Sequence, residues 1–600
     1  YVKEGFYARS RESEIRCPDL EINQLVSLEN VTERVLSAIK PGLSDKEGNE
    51  ARKAAEAAIE KESTDKTGLR SDVVELYQGG EYWLYRYKKY TDVRLVMAPE
   101  LQAAFYGGDY DNFTYPRFAL DFAFFRVYEK DKPVVPARYF PWSPAGAKEG
   151  ELTFVTGHPG STDRLFTVSQ LELQRELALP LRLKMYHGRR EAMRAYAARG
   201  AEQARRAQDY IFGLENGIKA LSGEQRGLND PAVFKRKVAD EKELRSKIAG
   251  DPKLAAAYGG AFQRVEAAQK ALAKRYAPFV FRRLGGRKLV NVANALVRMG
   301  TELEKPNEKR YEEFRDSALE SLKFQLFSPA PIYPDLEEAL LAYSLEESAK
   351  ELGPNDPFVK AALGGRSARD VAHDAVAGTK LADVAFRKKL AEGGRKAIAA
   401  SDDPMIALAR ALDGLYREQR DWYEANIQSV ERLEGGKIAK ARFAVYGKGV
   451  YPDATFTLRM SYGKPAGYAW GETLVPYKTT FGGLYDRADS FDGREPFHLS
   501  AKVAAARGKV ELSTPLDFVS THDIIGGNSG SPVVNADAQL VGLIFDGNIQ
   551  SLVGRYLYEP EAGRALSVHS SAIREALRSI YGMKSLLKEL DASAKAPARR

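Results

Sequence analysis

Ser529 stands in the run Gly526-Gly527-Asn528-Ser529-Gly530-Ser531-Pro532-Val533-Val534, followed by Asn535-Ala536-Asp537-Ala538 and then Gln539-Leu540-Val541-Gly542-Leu543-Ile544-Phe545. A glycine-rich loop thus leads into a strand, a short turn and a second strand. Acyl transfer needs such an arrangement. A serine on a tight turn presents Oγ outward, and the backbone N–H groups beside it converge on a developing oxyanion. Side chains at the flanking positions would crowd those donors, so small residues around Ser529 fit the task. The same composition also builds ordinary β-turns, so the loop needs partners to carry meaning.

A serine nucleophile requires a base and an orienting acid. An acid precedes a strand-length run in Asp121-Phe122-Ala123-Phe124-Phe125-Arg126-Val127, a place that turn and cap residues also take. The chain has six histidines: His158, His187, His373, His498, His522 and His569. His522 lies seven residues before Ser529, where turn polarity explains it about as well as catalysis does. None of the six has metal-ligand spacing, and the single cysteine, Cys17, excludes an internal disulfide and a thiolate zinc cluster. No metal and no cofactor are expected.

Lys and Arg number 90 against 82 Asp and Glu over 600 residues, a net charge of +8. That bias is too faint to argue for nucleic acid. No apolar run is long enough to span a membrane, and the length implies more than one domain.

Composition divides the chain. Residues 1–170 carry short aromatic and β-branched runs between turn signals, with a helical exception over Asn30–Glu62. Residues 171–432 are rich in Arg, Glu, Ala and Leu at helical spacing, broken at Pro180, Gly250, Pro306, Pro334 and Gly353. Residues 433–590 return to strand signals, including Arg442–Tyr446 and Thr455–Met460, before a closing helix over Ser571–Leu590. Residues 591–600 read as a disordered basic tail. The expected fold is α+β and multidomain, a β enzyme split by a large all-α domain.

The Ser529 loop resembles the nucleophile loop of chymotrypsin-fold serine peptidases. A more specific resemblance, to the bacterial dipeptidyl-peptidase 7 and 11 family, covers essentially the whole chain. It rests on Tyr1-Val2-Lys3-Glu4-Gly5-Phe6-Tyr7-Ala8, on Gly107-Gly108-Asp109-Tyr110-Asp111-Asn112-Phe113-Thr114-Tyr115-Pro116-Arg117 leading into Asp121, and on Gly157-His158-Pro159-Gly160-Ser161-Thr162-Asp163-Arg164. Tyr451-Pro452-Asp453-Ala454, Tyr462-Gly463 and the Ser529 loop complete it. The resemblance implies a chymotrypsin-like double β-barrel, 1–170 and 433–590, divided by a helical lid, and release of dipeptides from peptide N-termini.

Carried over by position, Asp121 and Ser529 match the catalytic acid and nucleophile, and the Gly527 and Ser529 amides the oxyanion hole. Asn112, Phe113, Asp546 and, by a looser match, Asn216 fall where the substrate's α-amino group is held. Phe113 replaces a tryptophan that many members carry. Gly547 falls beside the S1 pocket where acid-specific members have Arg, which implies an aliphatic or aromatic P1 residue. The family's histidine belongs to a segment expected before Tyr1, making the first barrel incomplete and the chain as given inactive. The resemblance also implies a signal peptide in the precursor, a periplasmic or outer-surface location, and a homodimer. A non-catalytic peptide-binding relative and a chymotrypsin-fold endopeptidase are the alternatives.

Overall fold

The structure, a computed structural model, describes residues 1–594. It is a mixed α/β chain in which strands gather at the two ends of the sequence and helices fill the middle. Among the described residues no helix is long and apolar enough to cross a membrane.

The N-terminal strands form two open sheets. In one, Asp92–Ala98 pairs antiparallel with Phe6–Tyr7 and Ile15–Arg16 on one edge and with Phe124–Glu129 on the other. In the second, Glu81–Tyr90 lies between Ile22–Asn30 and Arg70–Leu76. Tyr82 and Leu84 alternate inward from Glu81–Tyr90 and pack on Val31, Val35 and Ile59. Ile59 belongs to the helix Asp45–Thr67, which opens on a Ser44/Glu47 capping box and ends at Gly68 in the left-handed region.

The C-terminal sheet has seven antiparallel strands, in the order Arg459–Gly463, Thr153–Gly157, Pro532–Asn535, Leu540–Gly547, Ala565–His569, Pro515–Ser520 and Lys478–Thr480. Thr153–Gly157, expected within the N-terminal unit, is paired here on both edges. The helical region is therefore one long connection between two neighbouring strands of this sheet. Its largest apolar core joins the helices Leu289–Glu302, Pro334–Leu352 and Pro404–Tyr423 through residues such as Leu296, Leu341 and Leu412.

Three local expectations fail. Arg442–Tyr446, read as strand, is the last turn and more of the helix Ser429–Tyr446. Ile438 and Ala441, with Val445, pack on Leu244, Phe262 and Val265. That helical spacing begins upstream of the five residues whose composition suggests a strand, so packing overrides local preference. Of Thr455–Met460 only the end is strand, within Arg459–Gly463. The tail also orders earlier than expected: the helix Lys584–Ala594 packs Leu586, Leu587 and Leu590 on the C-terminal core, and Asp591 pairs with Arg574 at 3.0 Å. The remainder of the expected tail, 595–600, lies outside the described residues.

Candidate active site

Ser529 sits on the turn that enters the strand Pro532–Asn535, and its neighbour in the sheet, Leu540–Gly547, holds that turn in place. Gly530 N–H donates to Ile544 O at 2.7 Å, and Ile544 N–H donates to Ser531 O at 2.9 Å. Between Ile544 and Asp546 the pairing with Ala565–His569 shifts register, leaving Phe545 as the extra residue of a bulge. The Phe545 carbonyl accepts the Ser529 hydroxyl at 3.2 Å, and Ser529 is exposed to the cleft.

Gly527 has φ of +109°, and a Cβ there would stand 2.6 Å from His158 O and 2.7 Å from Gly160 N. Both are backbone atoms that cannot swing aside. The turn is further pinned by Gly160 N–H donating to Gly526 O at 2.7 Å. Among the described residues the N–H groups of Gly527 and Ser529 have no acceptor, as an oxyanion site requires. Gly527→Ala is expected to lower kcat by about 10²–10³-fold with a smaller change in KM, measured by steady-state hydrolysis. An unchanged kcat would remove this turn from the chemistry.

A cleft of about 240 Å³ joins Ser529 to Asp121, Asn112, Phe113, Asn216, Asp546 and Gly547. Sequence positions more than 400 residues apart thus meet, and the loosely matched Asn216 is among them. It stands on the helix Ala201–Asn229, and its Oδ1 accepts Asn112 Nδ2–H at 3.1 Å. Phe113 adopts a φ of +58°, uncommon for an aromatic residue, and its N–H donates to Asp546 Oδ2 at 3.1 Å. Asp546 Oδ1 accepts Gly547 N–H at 2.9 Å. Burial pushes the Asp546 carboxyl up, opposed by the adjacent Arg117 guanidinium.

Asp121 lies three residues ahead of the strand Phe124–Glu129, and no protein group hydrogen-bonds its carboxylate among the described residues. One face is open to the cleft while protein surrounds the others. Desolvation raises its pKa to about 6, with Arg117 opposing and Asp546 reinforcing the rise. The rise rests on burial alone, because Arg117, which lowers the pKa, outweighs Asp546, which raises it, and the exposed face of Asp121 keeps that burial partial.

Two further residues escape the sequence reading. Arg117 is buried; its Nη1–H donates to Asp546 Oδ2 at 2.9 Å and to Asp111 O at 2.8 Å. Its guanidinium lies 5.7 Å from the Phe105 ring and 5.4 Å from the Phe545 ring. Lys219, one helical turn beyond Asn216, donates to the carbonyls of Asp109 and Asn112. Arg117 was in view within the Gly107–Arg117 motif, but its partner lies 429 residues away, and Lys219 looks like any helix-surface lysine.

No imidazole lines the cleft among the described residues. His522 Nδ1 bonds Ser520 Oγ at 2.8 Å and its Nε2 bonds Thr153 O at 3.1 Å. His569 bonds Ala147 and Ser571. Burial lowers both pKa values to about 4, so these two are neutral sheet staples at neutral pH.

The family model for Peptidase S46 matches residues 1–592. The chain is 27% identical to dipeptidyl-peptidase 7 of Porphyromonas endodontalis, covering 98% of this chain and 74% of the relative. It is 26% identical to an Asp/Glu-specific dipeptidyl-peptidase of Shewanella putrefaciens, covering 98% and 86%. Its fold matches the crystal structure of Porphyromonas endodontalis DPP11 in complex with the dipeptide Arg-Asp, with TM-score 0.77, 22% identity, and coverage of 98% and 88%.

These relatives overturn the aliphatic or aromatic P1 preference drawn from Gly547, since Asp/Glu-specific enzymes align over nearly the whole chain. The geometry explains the error. A Cβ on Gly547 would stand 2.5 Å from Ser551 Oγ, so a hydroxyl already fills that wall where open apolar volume was inferred. With a family model spanning nearly its full length, over a cleft that gathers Ser529, Asp121 and Asp546, the chain belongs to peptidase family S46.

Proposed function

We propose that the protein is a serine dipeptidyl-peptidase that removes residues two at a time from the free N-terminus of peptides. One observation carries this reading. The carbonyl that holds the Ser529 hydroxyl belongs to Phe545, and the next residue, Asp546, joins the Asn112 cluster in the same cleft. The carbonyl that holds the nucleophile and the ammonium site are therefore consecutive residues of the strand Leu540–Gly547, so the fold fixes the separation of Ser529 from Asp546.

In this reading the substrate's ammonium is held by Asp546 with the Asn112 and Asn216 amides, against the Phe113 wall. Ser529 Oγ attacks the carbonyl of the second residue while its proton passes to an imidazole oriented by Asp121. The Gly527 and Ser529 amides receive the oxyanion. The imidazole then protonates the departing amine, and water hydrolyses the acyl-enzyme with the same base accepting its proton. The six histidines of this chain are not assigned that role.

For P1 the supported reading is an acidic residue, resting on the Asp/Glu-specific relatives. We also infer that the sheets flanking the cleft are the halves of a chymotrypsin-like unit, with the helices as its lid. Export to a bacterial periplasm or surface, and a homodimer, belong to the same reading. The experiment is a panel of fluorogenic dipeptides run with the protein as its gene encodes it. Xaa-Asp and Xaa-Glu should be cut faster than Xaa-Leu and Xaa-Phe, and N-acetylated versions not at all. Equal cleavage across the panel would remove the acidic P1 reading; cleavage of acetylated substrates would remove the exopeptidase.

A further inference from the structure

Among the described residues no protein group hydrogen-bonds the Asp121 carboxylate, so the backbone leading to it fixes where it stands. That backbone is gripped from the C-terminal sheet. Ala119 N–H donates to Asp517 Oδ2 at 2.7 Å, and Arg117 O accepts the Thr479 hydroxyl at 2.8 Å. Thr479 lies where the pairing of Lys478–Thr480 with Pro515–Ser520 shifts register, and its Oγ1 accepts Asp517 N–H at 3.1 Å. A further anchor stays within the N-terminal part, Leu120 N–H donating to Ala103 O at 2.9 Å. Arg117, Ala119, Thr479 and Asp517 are all buried, and Asp517 Oδ1 has no partner. Enclosing a carboxyl for a single N–H is a poor exchange for stability alone.

We propose that Asp517 and Thr479 are positioning residues for the orienting acid: they dock the segment Arg117–Asp121 on the sheet so that Asp121 meets the base in register with Ser529. The inference rests on the reading of Asp121 as that acid and deepens it. Sheet register supports it. Asp517 pairs across to Val568, Val568 to Leu543, and Leu543 to Pro532, three residues after Ser529. The anchor of the acid and the turn of the nucleophile thus end one cross-strand row, three strand spacings or about 14 Å apart. Hydrogen-bonded strands keep that spacing, so two groups remote in sequence hold one separation. A misplacement of about 1 Å in such a constellation costs about 10²-fold in rate. The acceptor at 517 does this work; a neutral oxygen in the same place would serve equally.

A double-mutant cycle with Asp121 is the direct test, run on a fluorogenic Ala-Glu substrate with the protein as its gene encodes it. Asp517→Leu removes the acceptor and should lower kcat about 10²-fold with KM within about threefold of the parent. Asp517→Asn keeps an oxygen towards Ala119 N–H and should retain kcat within about threefold. Thr479→Val, which exchanges the hydroxyl for a methyl, should cost about tenfold and carries the same test if Asp517→Leu does not fold. Each change is repeated in Asp121→Ala, which alone should lose about 10⁴-fold. With no carboxylate left to place, Asp517→Leu and Thr479→Val should cost less than about twofold there. Equal losses in both backgrounds would reveal a merely structural role and overturn the inference. So would a fall in Asp517→Asn as deep as in Asp517→Leu, which would assign the effect to charge at 517. If Asp121→Ala alone keeps the parent kcat, the acid itself is misassigned, and the role of Asp517 falls with it.

Discussion

Ser529→Ala is expected to lower kcat by about 10⁴–10⁶-fold while leaving dipeptide affinity within a few-fold of the parent. The split follows from position. The Ser529 hydroxyl touches the Phe545 carbonyl and the cleft, and carries none of the packing that shapes the turn, which Gly530, Ser531 and Ile544 hold through their backbones. Removing one exposed oxygen deletes the nucleophile and little else. Single-turnover hydrolysis paired with calorimetric dipeptide binding measures both quantities. A fall in affinity that matched the fall in kcat would mean that Ser529 is a binding residue.

Asp546→Asn should produce the second large effect, a loss of about 10²–10³-fold in kcat/KM for free-amine peptides. The carboxylate accepts three hydrogen bonds, from Phe113 N, Arg117 Nη1 and Gly547 N. An asparagine oxygen can keep the first two, but its Nδ2 then faces the Gly547 N–H, donor against donor. The charge that receives the ammonium is gone, and buried Arg117 loses its counter-ion, which costs stability by about 3–5 kcal/mol for such a pair. Kinetics with free and N-acetylated peptides separate these consequences. The preference for the free terminus should collapse in the variant, and its unfolding midpoint in urea should drop. Retained preference would locate the ammonium elsewhere.

What could be read from the sequence follows from how local each feature is. The Ser529 loop is legible because glycine, asparagine and proline requirements are local: the φ of +109° and the backbone contacts at Gly527 admit no side chain. Asp121 and Asp546 carry no local signature; each precedes or ends a strand as many acids do, and the resemblance supplied their roles. Arg117 and Lys219 were illegible because their partners are remote in sequence. Gly547 misled because the missing side chain was taken as open space, when Ser551 from the following turn occupies it. Arg442–Tyr446 misled because five residues were read without the helical period that precedes them. The coarse order of strands, helices and strands was recoverable from composition. That Thr153–Gly157 joins the C-terminal sheet was not, since its partners lie beyond the whole helical region.

The central claim is that a free N-terminus is counted two residues from Ser529. Its most direct test is mass spectrometry of one oligopeptide with an acidic second residue, supplied free and N-acetylated, incubated with the protein as its gene encodes it. The free peptide should shorten from its N-terminus by whole dipeptides, with no such loss in the acetylated twin or with Ser529→Ala. Internal cleavage of both peptides would contradict the account in favour of an endopeptidase. Dipeptide binding without cleavage of either would contradict it in favour of a non-catalytic binder.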